Sequence, residues 1–141
     1  TKYLKYGLLL VLCNFLTNCE RPIKQETFDR QLWNKQFDFG YVHREQMLVD
    51  LVNNYLRPGI SKSEVVELLG QPNNNSSNVK PDEYAYFLNE EYSWADIDPT
   101  TRKHLILTFN PDSTLNEIYK RTWKTGEETQ NEKLVLTSSP I

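Results

Sequence analysis

The sequence predicts an α+β fold in which two N-terminal helices pack on a three-stranded antiparallel β-meander. Three observations support this prediction: a helix with both ends marked between residues 58 and 72, an apolar stripe at helical spacing just before it, and three later runs rich in aromatic and β-branched residues. A meander of this kind has one face to cover, and the helix pair is the element available to cover it.

The first predicted helix starts after His43, where apolar residues recur at i, i+1, i+4, i+5 and i+8. This spacing places them on one stripe of a helix. The stripe consists of Met47, Leu48, Leu51, Val52 and Tyr55. Polar residues fill the other side, and they are Arg44, Glu45, Asp50, Asn53 and Asn54. The prediction therefore places Arg44 away from the core.

The second predicted helix is short, and the sequence marks both of its ends. Ser61 stands at the N-cap position and Glu64 follows three residues later, which is the pattern of a capping box. Gly59 lies in the turn that separates the two helices. Gly70 can adopt the backbone conformation that ends a helix, and Pro72 prevents the helix from resuming. These five positions are predicted to be structural.

Three later runs predict strands at residues 83–88, 104–109 and 115–123. The third run alternates untidily, since Leu115 and Ile118 are three residues apart, and this predicts a β-bulge near Asn116. A short run at residues 134–136 is a candidate for an additional edge strand.

The N-terminal residues have the pattern of a targeting signal. Two lysines precede an apolar run of about ten residues, which is typical of a secretory signal. Leu16–Cys19 resembles a lipobox, so we expect residues 1–18 to be a lipoprotein signal peptide and Cys19 to carry the lipid. Two alternatives remain, namely an ordinary signal peptide with a chance cysteine and an N-terminal core helix.

Residues 19–42 are predicted to form a tether or strap, residues 43–125 the folded domain, and residues 126–141 a C-terminal tail. Apolar side chains recur along the strap, and they are Phe28, Leu32, Trp33, Phe37 and Phe39. They favour either a strap packed loosely on the domain or a docking segment for another protein.

The connection between the first two strands, residues 89–101, is the candidate site for binding a partner. It combines large apolar side chains with acidic ones, which are Tyr92, Trp94, Ile97, Asp96 and Asp98. Tyrosine and tryptophan are enriched among the residues that dominate protein interfaces. The alternative is that the connection folds back and Trp94 caps the core.

Composition excludes several classes of function. The 16 basic and 19 acidic residues form no basic block, so a nucleic-acid partner is not expected. Both cysteines lie at the N-terminus, as Cys13 and Cys19, and the two histidines, His43 and His104, have no ligand spacing, so neither a metal nor another cofactor is expected. The serines fit no Gly-x-Ser-x-Gly or Ser-x-x-Lys pattern, which predicts a protein that is not an enzyme.

Residues 44–123, together with the lipobox, resemble the SmpA/OmlA (BamE-like) family of bacterial lipoproteins. The resemblance rests on the marked helix and its flanking turns, a tyrosine-rich strand, and a later apolar strand followed by a Pro-Asp turn. Quoted from the sequence, these are Pro58–Ser61, Glu64–Val65, Leu68–Pro72, Glu83–Leu88 and Leu105–Phe109. The resemblance implies two helices on a three-stranded sheet, with Gly59, Val65, Leu69, Gly70 and Pro72 as structural positions.

The resemblance also implies a function. Members of the family are held in a membrane by an N-terminal lipid and act through protein contacts, and related folds occur in secreted β-lactamase inhibitors. We therefore expect a lipid-anchored, non-catalytic scaffold or assembly factor, with envelope proteins such as outer-membrane assembly components as partners. Glu20 after the cysteine favours the outer membrane, facing the periplasm. The alternative is an inhibitor-like module that blocks an enzyme through residues 89–101.

Overall fold

The structure is a computed structural model and describes residues 23–38, 40–74, 79–95 and 97–134. Within these ranges, three helices are followed by four strands. They are α1 Arg30–Asn34, α2 Arg44–Asn54, α3 Lys62–Leu69, β1 Glu83–Glu91, β2 Thr101–Phe109, β3 Leu115–Lys124 and β4 Gln130–Lys133. The strands form one antiparallel sheet in the order β1-β2-β3-β4. The predicted α+β class is confirmed, but the predicted count of two helices and three strands is wrong.

The two additional elements have little signal in the sequence. Helix α1 has five residues, too few for a periodic pattern, and the Asp29 side chain caps it by accepting from the Leu32 N–H at 2.7 Å. Every residue of β4 is exposed, so β4 shows no apolar alternation. The edge strand predicted at residues 134–136 is displaced: Leu134 follows β4, and residues 135 and 136 lie outside the described part of the chain.

Helix α3 forms where the capping pattern predicted it. The Glu64 N–H donates to Ser61 Oγ at 3.3 Å, and the Ser61 N–H donates to Glu64 Oε2 at 2.9 Å. Gly70 ends the helix with a φ of 81°, and a Cβ at this position would lie 2.7 Å from Asn34 Oδ1. The glycine therefore allows both the turn and the close approach of α1.

Helix α3 is joined directly to the turn between β2 and β3. The Lys62 N–H donates to the Ser113 carbonyl at 2.9 Å, and the Leu115 N–H donates to the Ile60 carbonyl at 2.8 Å. Just beyond this junction the β2–β3 register shifts, because Phe109 pairs with residue 115 whereas the preceding residue pairs with residue 117. Asn116 is the extra residue, so the predicted bulge is confirmed.

One hydrophobic core lies between the helices and the inner face of the sheet, and it extends into the strap. Phe28 is 9% exposed and Trp33 is fully buried, and both belong to the same cluster as the apolar stripe of α2. The core therefore includes residues on the N-terminal side of the boundary predicted at residue 43. The prediction that Arg44 lies away from the core is wrong, since this residue is only 3% exposed.

Asn73 and Asn74 cover the outer edge of β1. The Ala85 N–H donates to Asn74 Oδ1 at 2.9 Å, and Asn74 Nδ2 donates to the Glu83 carbonyl at 3.2 Å. The Asn73 N–H donates to the Ala85 carbonyl at 2.6 Å, and the Phe87 N–H donates to Asn73 Oδ1 at 3.2 Å. These groups complete the backbone hydrogen bonds that an exposed edge strand leaves open.

Replacing Asn74 with alanine is expected to lower the free energy of unfolding by about 1–3 kcal/mol, because the Ala85 N–H and the Glu83 carbonyl lose their partners. The opened edge should also promote association of the folded protein. Urea denaturation and sedimentation velocity check the two effects. The control is Asn116→Ala, the same change at the exposed bulge. An unchanged urea midpoint for Asn74→Ala would contradict the assigned role.

The outer face of the sheet carries an ion pair with a buried carboxylate, that of Glu83, and a partly buried histidine, His104. Arg121 Nη1 and Nη2 contact the two Glu83 carboxylate oxygens at 3.0 and 2.9 Å. Burial opposes ionisation of Glu83, but the hydrogen bonds from Arg121 and the Lys80 N–H outweigh it and lower the pKa of the carboxyl group. Burial lowers the pKa of His104, and the nearby Arg102 and Arg121 lower it further.

We therefore expect stability to fall in two steps on acidification. Because the pKa of His104 is lower in the folded state than its ordinary 6.5, the unfolded chain takes up this proton first, and stability decreases below about pH 6.5. The Glu83 contribution is lost later, as the pH falls from the ordinary value of 4.5 through the lowered folded pKa. Urea midpoints measured between pH 3 and 8 test both steps. The variant His104→Gln should lack the first step and keep the second.

Candidate interaction surface

The candidate site is the loop between β1 and β2, which is shorter in the structure than in the prediction. Strand β1 continues to Glu91 and β2 begins at Thr101, and these two residues pair with each other. The loop proper therefore spans residues 92–100 rather than 89–101. We call residues 92–100 the hairpin tip.

Backbone contacts fix the base of the hairpin tip. The Thr100 N–H and Oγ1 both donate to the Glu91 carbonyl, at 2.8 and 3.1 Å. The Thr125 N–H, from the turn after β3, donates to the Thr100 carbonyl at 3.0 Å. Pro99 is buried. The base of the hairpin tip is therefore hydrogen-bonded to the end of β1 and to the turn after β3.

The apolar side chains of the hairpin tip face solvent. Trp94 is 99% exposed, Ile97 is 96% exposed and Tyr92 is 54% exposed. The alternative that Trp94 caps the core is therefore wrong. Asp98 is also exposed, whereas Asp96 lies outside the described residues. The structure thus presents Tyr92, Trp94, Ile97 and Asp98 on one loop, although whether they bind a partner stays a prediction.

A chain of polar contacts connects the hairpin tip to the outer face of the sheet. The Tyr92 hydroxyl donates to Glu90 Oε1 at 2.7 Å, which raises the pKa of Tyr92. Glu90 Oε2 lies 3.5 Å from Arg102 Nε, and the Arg102 guanidinium lies 5.7 Å from the centre of the Trp123 ring. On the helix side of the hairpin, Glu91 pairs with Lys103 at 3.1 Å, and Lys103 also contacts Glu45 of α2 at 3.4 Å.

Arg102 and Trp123 were not predicted as part of the site. They belong to different strands and are brought side by side by the β2–β3 register, in which these two residues pair. Period-two alternation indicates which residues of a strand share a face, but it does not give the register between strands. The sequence therefore shows an aromatic residue at position 123 but does not show that it lies beside Arg102.

Within the described ranges, histidine, cysteine and acidic side chains form no group of three or more that could hold a metal ion. An open groove of about 560 Å³ lies beside the turn at Pro58–Ile60, where Arg30, Arg57, Glu64 and Glu67 are among the lining residues. This groove brings charged side chains of both signs together. None of the helices that the structure describes has the length and apolar character needed to cross a membrane.

The fold defines a small two-layer α+β domain, with helices on one face of an antiparallel meander and a solvent-exposed aromatic hairpin at one end. The model of the family described as "Outer membrane protein assembly factor BamE domain" matches residues 40–135. The chain therefore belongs to the BamE domain family, and the predicted resemblance is confirmed. Comparisons with curated proteins and with solved structures gave no match.

Proposed function

We propose that this protein is a lipid-anchored lipoprotein of the bacterial cell envelope that acts as a non-catalytic assembly factor or scaffold in outer-membrane protein assembly. The observation that carries the proposal is the BamE domain match, which covers the sheet and helices α2 and α3. Its partners would be envelope proteins, with outer-membrane assembly components foremost. The inhibitor-like alternative has no observation in its favour.

Cys19 is the proposed attachment site for the lipid. The thiol follows an apolar run preceded by two lysines, and it can take a diacylglycerol through a thioether. Two or more acyl chains give a stable anchor, since each buried methylene contributes about 0.8 kcal/mol. An anchor of this kind would hold the domain at the periplasmic face of the outer membrane.

The hairpin tip is the proposed contact site of the anchored domain. Large apolar side chains that stand free on a rigid base are typical of residues that become buried in a complex. Trp94 and Ile97 have this exposure, and the contacts of Thr100 supply the base. Tyr92, Asp96 and Asp98 complete the candidate set from the sequence.

Affinity purification of the tagged full-length protein from its own membranes in mild detergent, followed by mass spectrometry, tests the function. We expect outer-membrane assembly subunits to be recovered, and to be lost for the Cys19→Ala variant. Trp94→Ala should reduce recovery while leaving the folded state intact. A soluble protein with unmodified Cys19 would refute the anchor, and recovery of a single soluble enzyme with or without Cys19 would refute the assembly role.

A further inference from the structure

We propose that the hairpin tip inserts Trp94 and Ile97 into an apolar pocket of a protein partner, and that lysine or arginine side chains of the partner form the rim of this pocket. The inference rests on the proposed function, since it assumes that the protein acts through protein contacts. It adds the chemistry of the partner surface, which the family match does not give.

The apolar part of the inference comes from exposure and rigidity. Trp94 and Ile97 are 99% and 96% exposed, so nearly all of their surface is available for burial. The loop that carries them is closed by the two hydrogen bonds to the Glu91 carbonyl and by the Thr125 contact. A fixed base reduces the ordering that binding requires. Large side chains that dominate an interface typically fill pockets on the partner, so a pocket is the expected occupant site for Trp94 and Ile97.

The charged part comes from the carboxylates around the tip. Residues 92–100 contain no lysine or arginine, and Asp98 stands exposed beside Ile97. Glu90 and Glu91, at the base, are already paired with Arg102 and Lys103. The negative charge at the end of the hairpin is therefore left for the partner, and complementary potentials across an interface call for a basic rim.

The same charge argues against a lipid surface as the occupant. Anionic headgroups attract segments rich in lysine and arginine and repel acidic ones. A tryptophan and an isoleucine could enter a bilayer interface, but Asp98 next to Ile97 would be carried to the headgroups with them. A protein pocket with a basic rim accommodates both the apolar side chains and the carboxylate.

Photocrosslinking tests the inference in the full-length protein in its own cells, with benzoylphenylalanine in place of Ile97. The expected result is one dominant protein adduct, whose crosslinked segment combines apolar residues with lysine or arginine. Asp98→Lys should reduce the yield of this adduct roughly fivefold, whereas Glu67→Lys, a matched charge reversal on exposed α3, should not. Equal yields for Asp98→Lys and the parent would overturn the basic rim.

A vesicle experiment distinguishes insertion of the hairpin tip into a protein pocket from insertion into a lipid surface. Purified protein is mixed with vesicles of phosphatidylcholine and phosphatidylglycerol at a ratio of about three to one, an anionic surface. A blue shift of tryptophan emission that disappears in Trp94→Phe would overturn the inference, and an unchanged spectrum is expected.

The two proposals can fail separately. Recovery of assembly subunits in the affinity purification, without any adduct at position 97, would overturn the inference and leave the proposed function standing. An adduct with a basic, apolar segment of a protein outside the assembly machinery would support the inference and refute the assembly role.

Discussion

Replacing Trp33 with alanine is expected to lower the free energy of unfolding by about 3–5 kcal/mol. The side chain is fully buried, its ring lies 5.9 Å from that of Phe28 and 6.3 Å from that of Tyr86, and the Arg44 guanidinium stacks on it at 4.8 Å. Truncation would open a cavity in the middle of the core. A loss of this size is a large part of the 5–15 kcal/mol that typically holds a small domain together.

Urea denaturation followed by circular dichroism measures this effect, and the chain offers a matched control. Trp94→Ala removes the same atoms from a side chain that is 99% exposed. Its free energy of unfolding should therefore change by no more than about 0.5 kcal/mol. Equal effects of the two substitutions would contradict the assignment of the strap to the core.

Trp33→Phe should lower the free energy of unfolding by less than Trp33→Ala does. Phenylalanine keeps an aromatic ring in the core, and the change removes an indole N–H that has no hydrogen-bond partner among the described residues.

The parts of the fold that obey local rules could be predicted from the sequence. The capping box of α3 needs only Ser61 and Glu64 at a fixed spacing, and the bulge at Asn116 follows from the broken alternation of one strand. The apolar stripe of α2 likewise identified its buried face. In each case the residues that carry the pattern belong to the same helix or strand whose structure they predict.

The parts that depend on contacts between distant residues could not be predicted. Helix α1 is too short to show a period, and Trp33 is buried because α2 and β1 pack around it. Arg44 looks like a surface residue of α2 until the strap and β1 supply acceptors for it. The run of asparagines before β1 reads as a loop, although Asn73 and Asn74 act as a partial strand along its edge.

The residues of the candidate site could be predicted from the composition of the loop, but their exposure could not. Tyr92, Trp94 and Ile97 are conspicuous in the sequence, whereas the choice between an interface and a core cap depends on whether the loop folds back. The structure shows that it does not, since the pairing of β1 and β2 continues to residues 91 and 101. The position of Arg102 beside Trp123 depends on strand register, which no local pattern specifies.

Arg44 is the second residue whose loss should have a large effect, because it joins three parts of the molecule. Its Nε donates to the Trp33 carbonyl at 2.8 Å, and Nη1 donates to the Phe87 carbonyl at 3.0 Å. The guanidinium lies 3.5 Å from the centre of the Tyr41 ring and 4.8 Å from that of the Trp33 ring. Burial lowers the pKa of Arg44 to about 10, and interactions with Tyr41 and Tyr86 oppose this shift, so the side chain stays charged at neutral pH.

We expect Arg44→Met to lower the free energy of unfolding by about 3 kcal/mol, because methionine fills much of the volume but leaves the carbonyls of Trp33 and Phe87 without a donor in a buried site. Arg44→Lys should recover less than half of the loss, since an ammonium lacks the planar fork that reaches both carbonyls and contacts the two aromatic rings. Urea denaturation measures both variants against Arg57→Met, the same change at an exposed arginine. Because Arg44 and Trp33 contact each other, the double variant Trp33→Ala/Arg44→Met should lower the free energy of unfolding by less than the sum of the two single effects.

Strictly additive effects, or full recovery of stability by lysine, would show that the guanidinium does not connect the strap to β1.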